Sequence, residues 1–350
     1  MNSLSEIVEV VIGVDTHVET HTAAVVDART GAVLDELTVP TTPRGYQDLV
    51  DLADAHSVLR VWAVEGTGGH GAGLSRHLAR GEEVVVELDR PERATRRHGA
   101  KSDPLDAVRA AREALARPKL GTPRAGGDRQ ALSVLLAARR SAVDASTVAQ
   151  RQLFSLVIAA PEHLRAKLRG RKLPEMVRIA SRLRVQPGWD TESATTAATL
   201  RTLARRTQAL TAEAAELEKQ ILGIVRAWRP ELLEQPSVGP IVAATVLCAW
   251  SHPGRVHSEA AFAMLAGAAP IPANSGQVTT RYRLNRYGDR QLNRALTTIA
   301  LCRQRYHAPT KAYIDRRTAE GKTPREIRRC LKRYIARDLY RLLESHPTPA

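Results

Sequence analysis

Between residues 200 and 228 small or apolar side chains recur at alternating intervals of three and four: Leu200, Leu203, Thr207, Leu210, Ala214, Leu217, Ile221, Ile224 and Trp228. A seam with this spacing, sustained for about four heptads, runs along one side of an α-helix and needs a second helix to cover it. A long two-helix element is therefore expected. Its other arm is predicted over residues 130–160, with an irregular stretch at 161–187 between the arms. The pair reads as an antiparallel coiled-coil hairpin that also mediates dimerisation.

The residues on either side of this element follow different patterns. Residues 7–17 (IVEVVIGVDTH) read as a buried strand ending in polar residues, and residues 20–39 as a β-hairpin turning at 28–31. Helical periodicity follows at 43–56, a strand at 58–65, a helix at 71–80, a strand at 83–88 and an amphipathic helix at 103–116, which Pro118 ends. This is an α/β pattern with an antiparallel start. Residues 231–350 read as helical, interrupted at 236–240 and 269–277. Three segments are expected: an α/β domain over 1–118, a helical linker over 119–230 and a mainly α region over 231–350.

Charge separates the same regions. Residues 1–118 carry 13 basic and 19 acidic residues, and the remainder 39 basic and 18 acidic, for a net charge of +15. A strongly basic rear half suits a polyanionic partner, nucleic acid first. The three cysteines, Cys248, Cys302 and Cys330, have no zinc-ligand spacing, which argues against a zinc finger or a disulfide scaffold. The N-terminus lacks a signal-peptide pattern. The longest apolar run, residues 241–250, is far short of the roughly 20 residues that a membrane helix needs. A cytoplasmic protein is expected.

Four carboxylates occupy positions where α/β domains place chemistry. Asp15 ends the first strand, Glu65 ends a later one, and Asp103 and Asp106 lie three apart on one face of a helix start. Brought together, four carboxylates need cations to stay ionised, most simply one or two Mg²⁺ ions. Two such ions activate an attacking oxygen and stabilise a leaving oxygen in phosphodiester transfer. Each position also has a plainer reading. Asp103 before Pro104, with Asp106 following, makes a good helix cap. Asp15 with His17, Glu19 and His21 makes a polar strand face, and His17 with His21 as zinc ligands is a weaker alternative.

Gly66 to Gly71 (GTGGHG) formally matches G-x-G-x-x-G, with Glu83 and Glu87 downstream. A dinucleotide fingerprint usually occupies the first βα turn, and Glu65 would set a negative charge beside a pyrophosphate. In the rear half, LEQPSVGPIVAATVL resembles a helix-hairpin-helix, whose turn presents backbone N–H groups to a DNA phosphate. Ser237 stands there where a first glycine is usual. Gly239 in this turn and Arg281, Arg283, Arg286, Arg290 and Arg294 in the Tyr-interleaved basic stretch are candidate nucleic-acid contacts. Ser275, in the loop AGAAPIPANSGQ, is an ordinary turn residue by composition. Beside a metal–carboxylate centre it is a candidate nucleophile, its hydroxyl attacking a phosphodiester to form a phosphoserine link that conserves the bond energy.

The ordered set VIGVDTH, VEGTGGHGAGL, KSDPLDA, PSVGPIVAATVL, AGAAPIPANSGQ and RYGDRQLNRAL resembles the DEDD transposases of the insertion-sequence 110 family. The resemblance runs over nearly the whole chain. It implies a RuvC-like, RNase H-like nuclease domain, a coiled-coil linker and a C-terminal transposase domain. It also implies metal-bearing Asp15, Glu65, Asp103 and Asp106, a nucleophilic Ser275, a synaptic tetramer built from dimers, and a structured guide (bridge) RNA. Many relatives carry lysine three residues after the first aspartate, where this chain has Val18. Other classes stay open on the sequence: a hydrolytic Holliday-junction nuclease, a nucleotide-binding enzyme using the glycine-rich loop, and a non-enzymatic nucleic-acid-binding scaffold.

Overall fold

The computed structural model describes residues 4–88, 102–272, 282–285 and 288–345. They form two compact units, Met1–Gly126 and Gly127–Ala350.

The first unit is built on a five-stranded sheet in the order β3-β2-β1-β4-β5. Strand β1 (Val10–Thr16) is buried on both faces through Val14, as a central strand requires. It pairs antiparallel with β2 (Thr20–Asp27), which in turn pairs antiparallel with β3 (Val33–Pro40). The turn between β2 and β3 is set by Asp27, whose Oδ1 accepts from the backbone N–H of Arg29 and Thr30 and from the Thr30 hydroxyl. Helix α1 (Pro43–Asp54) starts where the Thr42 hydroxyl accepts the Gly45 N–H. Strand β4 (Arg60–Glu65) lies parallel to β1, and after α2 (Ala72–Arg80) strand β5 (Val85–Leu88) lies parallel to β4. Helix α3 (Asp103–Ala116) closes the unit.

Strand alternation sorts the core into two layers. Val10, Ile12 and Val14 pack with Leu49 and Ala53 of α1 and Leu74 and Leu78 of α2. On the opposite face Val11, Ala63 and Val86 pack with Ala110, Ala111 and Ala114 of α3. Between them Gly13 lies directly under α3. A Cβ there would meet the Ala107 carbonyl oxygen at 2.0 Å and the Ala111 nitrogen at 2.6 Å, so only glycine allows this approach. The mixed sheet with its antiparallel start is consistent with the expected RNase H-like domain.

The second unit is mostly helical. Helices α4 (Gly127–Ala159) and α7 (Thr191–Trp228) pack along their lengths, with Arg139 paired to Glu218 and Ser146 facing Thr211. As residue number rises on one arm it falls on the other, so the arms are antiparallel. Every seventh residue of the seam, Leu200, Thr207, Ala214 and Ile221, is buried, while Leu203, Leu210, Leu217 and Ile224 are half-buried.

The segment expected to be irregular contains two short helices, α5 (Glu162–Leu168) and α6 (Leu173–Ala180). Their Leu164, Leu168, Met176 and Val177 cover the hairpin end at Leu153 and Leu200. Helices of seven or eight residues show too little periodicity to be read from sequence.

At the other end Leu132, Ile221 and Val225 share one core with α8 (Glu231–Glu234), α9 (Pro240–Trp250), α10 (Glu259–Leu265), α11 (Arg290–Tyr306) and α13 (Pro324–Ser345); α12 (Ala308–Ala319) packs on α11. A two-stranded ribbon pairs β6 (Pro270–Pro272) with β7 (Tyr282–Leu284); β6 falls in the expected helix break at 269–277, whereas β7 lies beyond it, in residues expected to be helical. Among the described residues no helix is long and apolar enough to cross a membrane.

Candidate functional site

Asp15 and Glu65 end the adjacent parallel strands β1 and β4, whose register runs Val14↔Val64. Alternation turns both toward the face that α3 covers. The helix arrives with Asp103 and Asp106 in its first turn. The residue at the N-cap is Ser102, and no side-chain cap bond forms there, so Asp103 does not serve as the cap. Its Oδ1 lies 3.4 Å from Nε2 of His17, and the same nitrogen is 3.2 Å from Oδ2 of Asp15. Ligand atoms of Asp15, His17 and Asp103 all fall within 4.8 Å of one another, a spacing that suits a shared cation. Glu65 and Asp106 do not join that triplet at this distance. Asp106 is instead paired with Arg109 at 2.8 Å.

The electrostatics favour a positive charge here. Burial pushes the Asp15 carboxyl above its ordinary range, His17 opposes that rise, and repulsion from Asp103 and Asp106 adds to it. Asp103 and His17 are each about half exposed, whereas the Asp15 side chain is 16% exposed. The cluster is thus anchored at its base by Asp15 and open at its rim. Oxygen donors with one imidazole nitrogen fit a divalent cation.

His17 is the member that sequence reading left as part of a polar face, after setting aside a zinc site of His17 with His21. Its spacing gave only a partial signal. Asp-x-His sets His17 two residues after Asp15 but one past the end of β1, where the turn, not strand alternation, sets its direction.

Packing explains the glycines at the end of the glycine-rich loop, while Gly66 has a φ of +70° and a Cβ at Gly68 would meet nothing within 4 Å. A Cβ at Gly73 would meet the Tyr46 hydroxyl at 2.3 Å, and one at Gly71 would press on Val64 and Thr16. The downstream glutamates have partners of their own. The Thr67 hydroxyl donates to Glu87 at 2.6 Å, and Glu83 accepts from Arg60 and from the Trp62 indole.

In the second unit Gly239 is the N-cap of α9 and follows the turn at Pro236, Ser237 and Val238. Ser237 adopts a φ of +66°, the left-handed conformation that favours glycine, which explains why this position reads as an imperfect match. Arg290 and Arg294 are exposed one turn apart at the start of α11, whose N-terminus Asp289 caps through the N–H groups of Gln291 and Leu292. Arg283 lies in β7, paired with Ile271; its side chain is outside the described residues, as are Ser275, Arg281 and Arg286.

The ribbon flanking residues 273–281 has a pinned base. A Cβ at Gly288 would meet the Gly267 nitrogen at 2.4 Å, and Asn293 donates to the Ala266 carbonyl while accepting from buried Lys332. Of the described tyrosines, Tyr306 is 78% exposed, whereas the Tyr340 hydroxyl donates to the Val256 carbonyl.

Compared with known proteins, residues 230–315 match the transposase family described as IS116/IS110/IS902, and residues 12–159 match a transposase model of the DEDD, IS110 type. The second match contains all four carboxylates; the first contains Gly239, Ser275 and the candidate arginines. The chain is also 30% identical over 147 residues to the "Insertion element IS900 uncharacterized 42 kDa protein" of Mycobacterium paratuberculosis. That alignment covers 41% of this chain and 37% of the relative, little more than a third of its length.

Proposed function

Because the chain belongs to the IS110 family of DEDD transposases, we propose that it is an insertion-sequence recombinase that cuts DNA and rejoins it through a serine ester. The observation that carries this reading is the convergence of Asp15 and Asp103, from a strand end and a helix start, on one small volume. Asp15 and Asp103, with Glu65 and Asp106 beside them, would hold Mg²⁺, two ions in the full arrangement. When bound, the ions supply charge neutralisation for the attacking and leaving oxygens of a phosphodiester.

The protein's own part is as follows. The Ser275 hydroxyl loses its proton and its oxygen forms a new ester bond to phosphorus. The original sugar–oxygen bond to phosphorus breaks, and the leaving sugar hydroxyl takes up a proton. In the reverse direction an incoming sugar hydroxyl restores a phosphodiester and frees the serine, so no energy source is consumed. Exposed Arg290 and Arg294, with Arg281, Arg283 and Arg286 in the same stretch, bind phosphates of the DNA, and the α8–α9 turn ending at Gly239 adds a backbone contact of helix-hairpin-helix type. The α4–α7 hairpin acts as a coiled coil that joins two copies, and two such dimers form the synaptic tetramer. A structured guide RNA selects the DNA partners and shares the basic surface.

The test is strand cleavage on DNA carrying the element ends, with RNA transcribed from beside the gene and Mg²⁺. Asp15→Ala is expected to abolish cleavage. Ser275→Ala is expected to abolish both covalent protein–DNA adducts and recombination. Cleavage by Ser275→Ala that leaves hydrolysed ends would assign a hydrolytic nuclease instead.

A further inference from the structure

We propose that His17 is itself a metal ligand, its Nε2 completing with Asp15 and Asp103 a nitrogen-and-oxygen set that favours Mn²⁺ over Mg²⁺. The proposal rests on the metal reading of the two aspartates and goes beyond it in the donor atom and in the ion selected.

Four observations carry it. First, one nitrogen faces two carboxylate oxygens from different elements, at 3.2 and 3.4 Å. A single N–H satisfies one acceptor, and neither distance falls in the middle of the hydrogen-bonding range. Two ligands bound side by side at about 2.1 Å to one octahedral ion stand about 3 Å apart, close to what is seen. Second, the turn carrying His17 is fixed by backbone bonds. The His17 N–H donates to the Thr20 carbonyl at 3.0 Å, the Thr41 hydroxyl donates to the Val18 carbonyl at 2.9 Å, and the Thr41 N–H donates to the Glu19 carbonyl at 3.0 Å. The imidazole is therefore presented from a tethered loop. Third, Asp106, the carboxylate nearest in sequence to Asp103, is engaged by Arg109, and neither it nor Glu65 enters the triplet. The third donor at this position is a histidine. Fourth, the imidazole is about half exposed beside the better-buried Asp15, so it can bind an ion that enters from solvent without any rearrangement of the core.

The consequence is one of ion preference. Mg²⁺ is hard and seeks oxygen, while imidazole suits the later divalent ions. A site with one nitrogen should bind Mn²⁺ more tightly than an all-oxygen site would, with little gain for Mg²⁺.

The experiment uses the full-length protein loaded with Mn²⁺ and reads pulsed electron paramagnetic resonance for ¹⁴N modulation from a coordinated imidazole. Wild type and His70→Ala, a change on the exposed glycine-rich loop, are expected to show the nitrogen signal, and His17→Ala to lose it. By calorimetric titration His17→Ala should weaken Mn²⁺ binding about tenfold or more, the scale on which ligand-sphere changes act, and Mg²⁺ binding much less. His17→Asp, which replaces nitrogen by oxygen, should recover Mg²⁺ binding with no nitrogen signal and serves as the check that the turn still folds. A nitrogen signal that persists in His17→Ala, or is absent from Mn²⁺-loaded wild type, overturns the proposal while leaving the metal reading standing. A wild-type protein that binds neither ion, or an Asp15→Asn variant that binds Mn²⁺ as well as wild type, contradicts the metal reading itself.

Discussion

A methyl group at position 13 would meet the Ala107 carbonyl oxygen at 2.0 Å, so α3 lies this close to β1 only over a glycine. That approach is what carries Asp103 to Asp15. Gly13→Ala should therefore cost roughly 2 kcal/mol of stability, as overpacked cores do. Because the helix start must shift, it should also weaken Mn²⁺ binding; denaturant unfolding and a metal titration check the two effects together. A second residue-scale device is Arg60, whose side chain is 8% exposed and pairs with Glu83 and Asp54. Removing it strands the Glu83 carboxylate, and Arg60→Ala is expected to destabilise the unit by roughly 3 kcal/mol. The Arg60 hydrogen bonds hold the Glu83 carboxyl below its ordinary value of 4.5. A lowered folded value means that this stabilisation is complete above pH 4.5 and is lost as the pH falls through the folded value. Glu83→Gln should flatten that acid limb of the stability curve, measured by unfolding at a series of pH values.

Elements explain which parts of this architecture were legible in sequence. The 103–116 helix shows its boundaries because Pro104 starts it and Pro118 follows it, and the structure places it at Asp103–Ala116. The seven-residue repeat of Leu200, Thr207, Ala214 and Ile221 marks the buried side of α7. Helices α5 and α6 were hidden because seven or eight residues hold barely two helical turns. The three-residue strands β6 and β7 carry no period at all, and two of the three residues of β6 are prolines. Within the site, the strand-end positions of Asp15 and Glu65 and the helix-start position of Asp103 were legible in sequence. His17 was not legible as a partner of Asp15 and Asp103, because a turn residue beyond a strand end has no fixed direction until the loop that holds it is known. Ser237 shows the reverse case, a sequence irregularity with a backbone meaning. A non-glycine residue in the left-handed region costs about 1 kcal/mol or somewhat more. Ser237→Gly should recover about that amount in thermal or denaturant unfolding.

At the scale of the whole molecule the uneven charge acquires a division of labour. The first unit brings Asp15, His17 and Asp103 into a group that could hold a cation, and it is the more acidic part of the chain. The second unit carries most of the 52 basic residues, with Arg290 and Arg294 exposed beside the ribbon that flanks residues 273–281. In the proposed reaction the first part activates a phosphodiester, the second holds its phosphates, and an uncharged residue of the basic half, Ser275, forms the covalent bond. That assignment of the nucleophile is the central claim, and mass spectrometry of the protein after reaction with DNA and Mg²⁺ tests it most directly. The account predicts a nucleotide-bearing peptide modified at Ser275, absent from Ser275→Ala and from Asp15→Ala. Cleaved DNA with no covalently attached protein, or a nucleotide on any other residue, would contradict it.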